Sequence, residues 1–158
     1  MTIREYLHND KQSLIAFLEQ QHDHMIPYDP FGRVRKDSYG KNSVESLLNE
    51  NEKTGKIFVA EEAGKIVGYI SGWVKKIEDF PDQTGAPNVN GMFDNIFVSP
   101  DSRGKGVAKA LVEKLENYFK ESNCKLIWLN VYSENEEATG FYNKLGYVPN
   151  STTFIKKL

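Results

Sequence analysis

Arg103-Gly104-Lys105-Gly106-Val107-Ala108-Lys109 is the stretch that decides the fold, because it follows a predicted strand at residues 92–98 and opens an amphipathic helix. The first N–H groups of a helix lack intrahelical partners and carry its partial positive charge. Glycine lets the backbone approach a ligand without a Cβ in the way. The stretch holds three cations, and no acid lies between Ser102 and Val112. We therefore expect the turn to bind an anion, with phosphate the best fit.

Two better-known glycine motifs do not fit this turn. A P-loop requires a glycine five positions before a Gly-Lys pair that Ser or Thr follows, and the sequence has no such arrangement. A Rossmann fingerprint fails because Lys109 occupies the place of its third small residue. The alternative that Gly104 and Gly106 only form a surface turn stays open on the sequence.

Strand and helix signals alternate on both sides of the turn. Hydrophobic periodicity, caps and turn residues predict the order β-α-α-β-β-β-α-β-α-β. The predicted strands are residues 2–6, 57–61, 66–75, 92–98, 125–131 and 147–157, and caps at Asp10, Ser43 and a Ser133-x-x-Glu136 capping box begin three of the helices. Ala63-Gly64 is a hairpin turn, and Gly146 ends the last helix. The order predicts an α/β (α+β) fold, with a mixed central sheet flanked by helices, in a single domain over residues 1–158.

The composition excludes several classes of protein. The chain has 158 residues, with 20 Lys and Arg against 22 Asp and Glu, so its net charge of −2 provides no global field for nucleic acid or an anionic membrane. It has no apolar run of membrane-spanning length and no signal sequence at its start, so we expect a cytoplasmic location. Its single cysteine, Cys124, excludes an internal disulfide and a multi-cysteine metal cage, and we expect no metal.

Two sequence blocks together carry a family resemblance. Residues 96–108, Ile-Phe-Val-Ser-Pro-Asp-Ser-Arg-Gly-Lys-Gly-Val-Ala, resemble motif A of the GNAT N-acetyltransferases, with its Arg/Gln-x-x-Gly-x-Gly/Ala core. The family's second block, Asn-x-x-Ala-x-x-x-Tyr-x-x-Leu-Gly-Phe, is matched by Asn135, Ala138, Tyr142, Leu145 and Gly146, with Tyr147 in place of the Phe. The motifs cover residues 57–158, and residues 1–56 match in pattern alone. The resemblance implies an acyltransferase that moves acetyl from acetyl-CoA to a primary amine, directly, in a ternary complex.

The resemblance also implies where acetyl-CoA binds. The backbone of Ile96, Phe97 and Val98 would pair with the pantetheine arm, while their side chains also suit a core. The pyrophosphate would be held by the turn, through backbone N–H groups and the helper cations: Arg103, Gly104, Lys105, Gly106, Val107, Ala108 and Lys109. Asn135 would bond the pantetheine, and the alternative is a polar residue in the first turn of a helix.

Two residues are candidates for catalysis. The resemblance places Tyr142 near the cofactor's sulfur, where it would return a proton to the departing thiolate; the alternative is a core face shared with Phe141 and Leu145. Asp94 would hold the ammonium of the acceptor or take its proton through water, because two-residue alternation puts it on one strand face with Met92, Ile96 and Val98. A solvated carboxylate at a strand end is the alternative for Asp94.

The acceptor is less specified than the donor. Glu78, Asp79 and Asp82 share a loop without a cation, which favours a small or flexible cationic amine. Asn130 stands where relatives that acetylate ribosomal-protein N termini often carry an acid, which disfavours that subgroup. A catalytically silent acyl-CoA-binding module, acetylation of a protein lysine or N terminus, and a homodimer all stay open.

Two rival sites are weaker on the sequence. A thiol acyltransferase would need Cys124 beside a histidine, yet His8, His22 and His24 all lie in the first 24 residues. His22 and His24 could form a metal pair, but they have no spaced third ligand. Loop residues at the rim of a pocket explain this pattern better.

Overall fold

A mixed sheet forms the centre of the computed structural model, which describes residues 1–32, 45, 47–49, 55–76 and 89–157. In these ranges the sheet has five strands, ordered along the chain as β1 (Thr2–Glu5), β2 (Gly55–Glu62), β3 (Lys65–Lys76), β4 (Val89–Val98) and β5 (Leu126–Trp128). Neighbours from β1 to β4 are antiparallel, and β5 is parallel to β4. The long helices are α1 (Lys11–Met25), α2 (Val107–Glu121) and α3 (Glu136–Lys144), and residues 45 and 47–49 are helical too. The predicted fold class, a mixed sheet flanked by helices, is confirmed.

The two faces of the sheet carry separate cores. On the face that we call the α2 face, Phe58, Ile70 and Phe93 pack against buried apolar residues of α2. On the opposite α1 face, Val59, Tyr69 and Phe97 pack against α1, which contributes Leu14, Phe17 and Leu18. Each strand divides its side chains between the faces because successive residues point to opposite sides.

Glycine is required where β3 and β4 pass beneath α2. A Cβ at Gly91 would lie 2.6 Å from the ring of Phe119, and one at Gly72 would lie 2.8 Å from the same ring. Both contacts are closer than side chains tolerate, so these glycines let the helix sit directly on the sheet. They also show that residues 72 and 91 face α2, which fixes the orientation of their neighbours.

A fork opens between β4 and β5. The two strands pair only at Asn90, Gly91 and Met92 with Leu126, Ile127 and Trp128. Beyond the Met92–Trp128 pair, β4 continues to Val98 in contact with β3, whereas β5 ends. The edge of β4 that follows the fork therefore presents backbone groups that β5 does not use.

A β-bulge lies at the start of the fork. Ser71 pairs with Asn95 and Gly72 pairs with Phe93, so Asp94 is an extra residue of β4. Ser71 lies between Ile70 and Gly72, which face α2, so Ser71 faces α1; its Oγ donates to Asp94 Oδ2 at 3.2 Å. Asp94 therefore faces α1, opposite to Ile96 and Val98, and the prediction that it shares their face is wrong. The bulge breaks the alternation on which that prediction rested.

Several element boundaries differ from the sequence predictions. The helix predicted to end near Gln20 runs to Met25, and the strand predicted over 125–131 spans only Leu126–Trp128. The expected last strand over 147–157 does not form: those residues carry no strand, since Pro149 cannot donate an N–H and β5 offers a short template. The predicted cap at Ser43 and the loop acids Glu78, Asp79 and Asp82 lie outside the described residues.

The start of the last helix is also corrected. Asn135, rather than Ser133, caps α3, because a turn from the Asn135 N–H to the Tyr132 carbonyl delays the helix by two residues. The predicted hairpin turn is confirmed, with positive φ at Ala63 (49°) and Gly64 (75°). The predicted glycine at the end of α3 is confirmed too, with a φ of 90° at Gly146. Asp10 does precede α1, but its carboxylate pairs with Arg4 at 2.7 Å rather than capping the helix.

Candidate active site

The glycine turn has the geometry of an anion site. Gly104 and Gly106 have φ angles of 73° and 82°, and a Cβ on either would meet no atom within 4 Å, so the turn faces open space. Ala110 donates to the Gly106 carbonyl at 3.1 Å, so the N–H groups of Val107, Ala108 and Lys109 precede the first bond of α2. These donors, with the positive end of the helix dipole, fit a phosphate group.

The cations of the turn differ in their contacts. Arg103 folds back onto β4, where its Nε donates to the Val98 carbonyl at 3.2 Å and its guanidinium lies 5.8 Å from the centre of the Phe97 ring. Lys109 lies 3.7 Å from Glu113, and both side chains are exposed. Arg103 thus holds the turn against the strand, and two of the three cations in the stretch have partners within the chain.

Tyr142 stands at the fork on the α2 face. The centres of the Tyr142 and Phe93 rings are 5.6 Å apart, in an edge-to-face arrangement. Phe93 follows Met92, the last residue of β4 that pairs with β5. The rings of Phe141 and Tyr147 also pack against the Tyr142 ring, with centre-to-centre distances of 5.3 and 5.7 Å. Burial raises the pKa of Tyr142 to about 12, so the phenol stays protonated at neutral pH.

Asp94 stands at the same level of the fork on the α1 face. Ser71 donates to its carboxylate, and the adjacent Asn95 accepts a hydrogen bond from Gln21 of α1 at 3.1 Å. Gln21 in turn accepts a hydrogen bond from the Tyr69 hydroxyl. This network fixes the bulged segment against α1, so that consecutive residues of β4 lead to Tyr142 on one side of the sheet and carry a carboxylate on the other.

Asn135 lies at the start of α3, where its Oδ1 accepts the Ala138 N–H at 3.0 Å. This contact fits the alternative given for Asn135, a polar residue in the first turn of a helix. The cap engages the oxygen of the amide and orients the side chain, whose nitrogen is a donor. At the other end of the helix, the Tyr147 hydroxyl donates to Glu116 of α2 at 3.0 Å.

Comparison with known proteins identifies the family. The model of the acetyltransferase (GNAT) family matches residues 15–147. The chain belongs to the GNAT acetyltransferase family. An uncharacterised N-acetyltransferase of Methanocaldococcus jannaschii is 34% identical over 140 residues, which are 87% of this chain and 57% of that protein. An acetyltransferase of Sodalis glossinidius is 31% identical over 148 residues, 93% of this chain and 87% of that protein.

Solved structures share the GNAT fold. A mutant protein from Bacillus halodurans superposes with a TM-score of 0.86 at 21% identity, over 100% of this chain and 99% of that one. An aminoglycoside N-acetyltransferase in complex with CoA superposes with a TM-score of 0.71 at 18% identity, over 99% of both chains. The expectation of an acyltransferase is thereby confirmed at the level of the GNAT family, and the fold of the sheet and helices is shared with these structures.

The rival thiol site does not assemble in this GNAT chain. Cys124 packs against the core of the α2 face, whereas His22 and His24 lie on α1, across the sheet. Burial raises the pKa of the Cys124 thiol, which keeps it protonated and a poor nucleophile. The prediction that these histidines are loop residues is wrong, since both lie on the helix. His22 is buried, and the centres of the His24 and Tyr28 rings are 5.7 Å apart, edge to face. In the described ranges, these histidines join no group of three side chains able to bind a metal, and no helix there is long and apolar enough to cross a membrane.

Sequence reasoning missed several residues beside the GNAT site. Ser71 and Gln21 orient the bulged segment, yet neither belongs to a motif. Trp73 and Trp128 flank Met92 in the register of the sheet, next to Asp94. The only sequence signal for this set is two-residue alternation along three separate strands, which becomes useful once the register is known.

Proposed function

We propose that this GNAT protein is an acetyl-CoA-dependent N-acetyltransferase that moves the acetyl group directly to a primary amine in a ternary complex. The observation that carries the proposal is the fork. Phe93 contacts Tyr142 on the α2 face, and the next residue, Asp94, places a carboxylate on the α1 face. A group lying in the gap between the strands would have a proton donor on one side and an anion on the other.

The residues that would hold acetyl-CoA run from the fork to the glycine turn. The backbone of Ile96, Phe97 and Val98 would pair with the pantetheine as an added strand, because β5 leaves this edge of β4 unpaired. Residues 104–109 would bind the pyrophosphate, and Asn135 would donate from its amide nitrogen. Bound acetyl-CoA supplies the acetyl group as a reactive thioester.

Asp94 is proposed to act on the acceptor amine. An alkylamine has a pKa of about 10.4, so its free base at pH 7 lies about 3.4 pKa units uphill, or roughly 4.6 kcal/mol. Complete transfer of that proton to an ordinary aspartate would be uphill by about 6.5 units. We therefore assign Asp94 the binding of the ammonium, which loses one proton to water; the free amine nitrogen then forms the new C–N bond.

Tyr142 is proposed to act on the sulfur. The C–S bond breaks as the C–N bond forms, and negative charge develops on sulfur. Burial raises the pKa of Tyr142 to about 12, whereas a thiol has a pKa of about 8.5. Complete transfer of the proton from Tyr142 to the thiolate is therefore uphill by about 3.5 pKa units. Its role is therefore a hydrogen bond that strengthens as the thiolate forms, and the phenol that gives its proton to sulfur is restored by the proton that the nitrogen loses as it becomes an amide.

Direct transfer is favoured over an acyl-enzyme. Within the described part of the chain, the cysteine is packed against the core of the α2 face, away from the histidines. No covalent carrier is needed when the amine can reach the thioester of acetyl-CoA directly, with the two substrates bound on opposite faces of the fork. One structure of the shared fold belongs, by its name, to an aminoglycoside acetyltransferase, so this fold can accommodate a small-molecule amine.

The test is an amine panel with acetyl-CoA, monitored by release of free thiol. The panel contains butylamine, cadaverine, 2-phenylethylamine, ethanolamine, glucosamine and a lysine peptide. We expect turnover with small amines, and Asp94→Asn should lower kcat/KM for the best amine by about 10- to 100-fold, since a charge-assisted contact is lost. The KM for acetyl-CoA should stay unchanged in this variant. Binding of acetyl-CoA without turnover would support a silent module, and turnover of the peptide alone would support a protein substrate.

A further inference from the structure

Three apolar side chains form a row across the sheet beside the proposed reaction site. Trp73 of β3 pairs with Met92 of β4, and Met92 pairs with Trp128 of β5. Neighbouring strands are about 4.8 Å apart, so the row extends about 10 Å. Residues so far apart in sequence meet only through the register.

The row faces α1, on the same side as Asp94. Its members alternate with residues that face α2: Gly72 and Val74 flank Trp73, Gly91 and Phe93 flank Met92, and Ile127 precedes Trp128. Asp94 lies two residues beyond Met92, and Ser71 lies two residues before Trp73. The carboxylate and its hydroxyl partner therefore stand at one side of the row, about 6 Å along the strands.

The row is also accessible. Trp128 is 40% exposed, and Trp73 and Met92 are partly exposed. The contacts of α1 with this face lie further along the strands, at Tyr69, Asn95 and Phe97. An exposed indole on a sheet face, next to a carboxylate, is the composition of a binding surface rather than of a core.

We propose that this surface, Trp73, Met92, Trp128 and Asp94, is the acceptor site, and that it takes a primary amine with an apolar body, aryl in preference to alkyl. This rests on the proposed function. The ammonium meets Asp94, and the body of the acceptor lies across the indoles, where an aromatic ring finds partners and a cation finds electron-rich faces. A polyhydroxylated amine would leave hydroxyl groups unpaired against the row, so it is a poor acceptor.

The test compares two acceptors that share an aminoethyl head, 2-phenylethylamine and ethanolamine. We expect the protein to prefer 2-phenylethylamine in kcat/KM by about 100-fold or more, and Trp128→Ala to reduce that preference by roughly 10- to 100-fold. In Trp128→Ala, kcat/KM for ethanolamine should change less than about threefold. Leu126→Ala is the matched control, because Leu126 is 44% exposed on the same strand and the same face but pairs with Asn90, further from Asp94. Leu126→Ala should leave kcat/KM for both amines unchanged. Thermal melts check the fold of each variant.

Different results would overturn different parts. Equal kcat/KM for the two amines, or an equal loss for both in Trp128→Ala, overturns the apolar acceptor site while the transferase stands. Calorimetric titration with 2-phenylethylamine separates binding from chemistry. Suppose that neither amine is acetylated, but that 2-phenylethylamine binds and Trp128→Ala lowers its affinity. The proposed acceptor site is then supported, and the proposed transferase activity is contradicted. If 2-phenylethylamine neither binds nor reacts, the site is wrong.

Discussion

The two faces of the fork are built in different ways. On the α2 face, the features proposed for acetyl-CoA are largely backbone: two left-handed glycines, the first N–H groups of α2 and the edge of β4, with Tyr142 added from α3. On the α1 face, the features proposed for the amine are side chains of three strands, Ser71, Trp73, Asp94 and Trp128. A backbone site demands small residues at fixed spacing and so leaves a motif in the sequence. A side-chain site on a sheet leaves none, and it can change its substrate without changing the fold.

The largest effect that sharpens this contrast is expected for Tyr142→Phe. Loss of the hydroxyl removes the proton donor for the sulfur, so kcat should fall by about 10²- to 10⁴-fold. The ring contacts with Phe93 and Tyr147 remain, so affinity for acetyl-CoA should change little. Single-turnover kinetics and calorimetry measure the two quantities. Full activity of the variant would return Tyr142 to a role in packing alone.

The same residue gives a prediction for stability at high pH. An unfolded tyrosine has a pKa of about 10, and burial raises that of Tyr142 to about 12. Below pH 10 both states are protonated and the group has no effect. Between pH 10 and 12 the unfolded state ionises first, so the free energy of unfolding falls by about 3 kcal/mol. Urea titrations of the native protein and Tyr142→Phe should show a shallower fall in the variant; parallel curves would contradict the burial of the hydroxyl.

On the backbone side, Gly106→Glu should lower affinity for acetyl-CoA by about 100-fold or more. The new carboxylate would fill the open space at the start of α2 and repel the phosphates. Gly64→Glu is the matched control, since Gly64 has a similar φ of 75° and open surroundings in the hairpin turn. Both variants carry the same strain, about 1–2 kcal/mol, but only Gly106→Glu should lose binding. Equal affinities in calorimetry would remove the turn from the cofactor site.

The contrast also explains what the sequence could predict. The glycine turn, the hairpin and α2 follow from local patterns, and the second motif block indicates Tyr142 by its spacing from Asn135. The bulge at Asp94 could not be predicted, because strict alternation gives no sign of an extra residue. The shift of the last cap from Ser133 to Asn135 depends on a turn to Tyr132, and the row of Trp73, Met92 and Trp128 depends on pairing between distant segments.

The smallest expected effect concerns Tyr147, which stands where the second motif block has Phe. Its hydroxyl donates to Glu116 at 3.0 Å and so ties the end of α3 to α2, next to the ring of Tyr142. Tyr147→Phe keeps the ring and loses the bond, which should lower the free energy of unfolding by about 1 kcal/mol, because the pair is only partly buried. Glu116→Gln keeps an acceptor oxygen, so it should cost less. Urea denaturation compares the two variants, and kcat should fall less than about threefold in either, since the rings of Phe93 and Phe141 still position Tyr142. A loss of kcat as large as that of Tyr142→Phe would mean that the link to Glu116, rather than ring packing, sets the position of the proton donor.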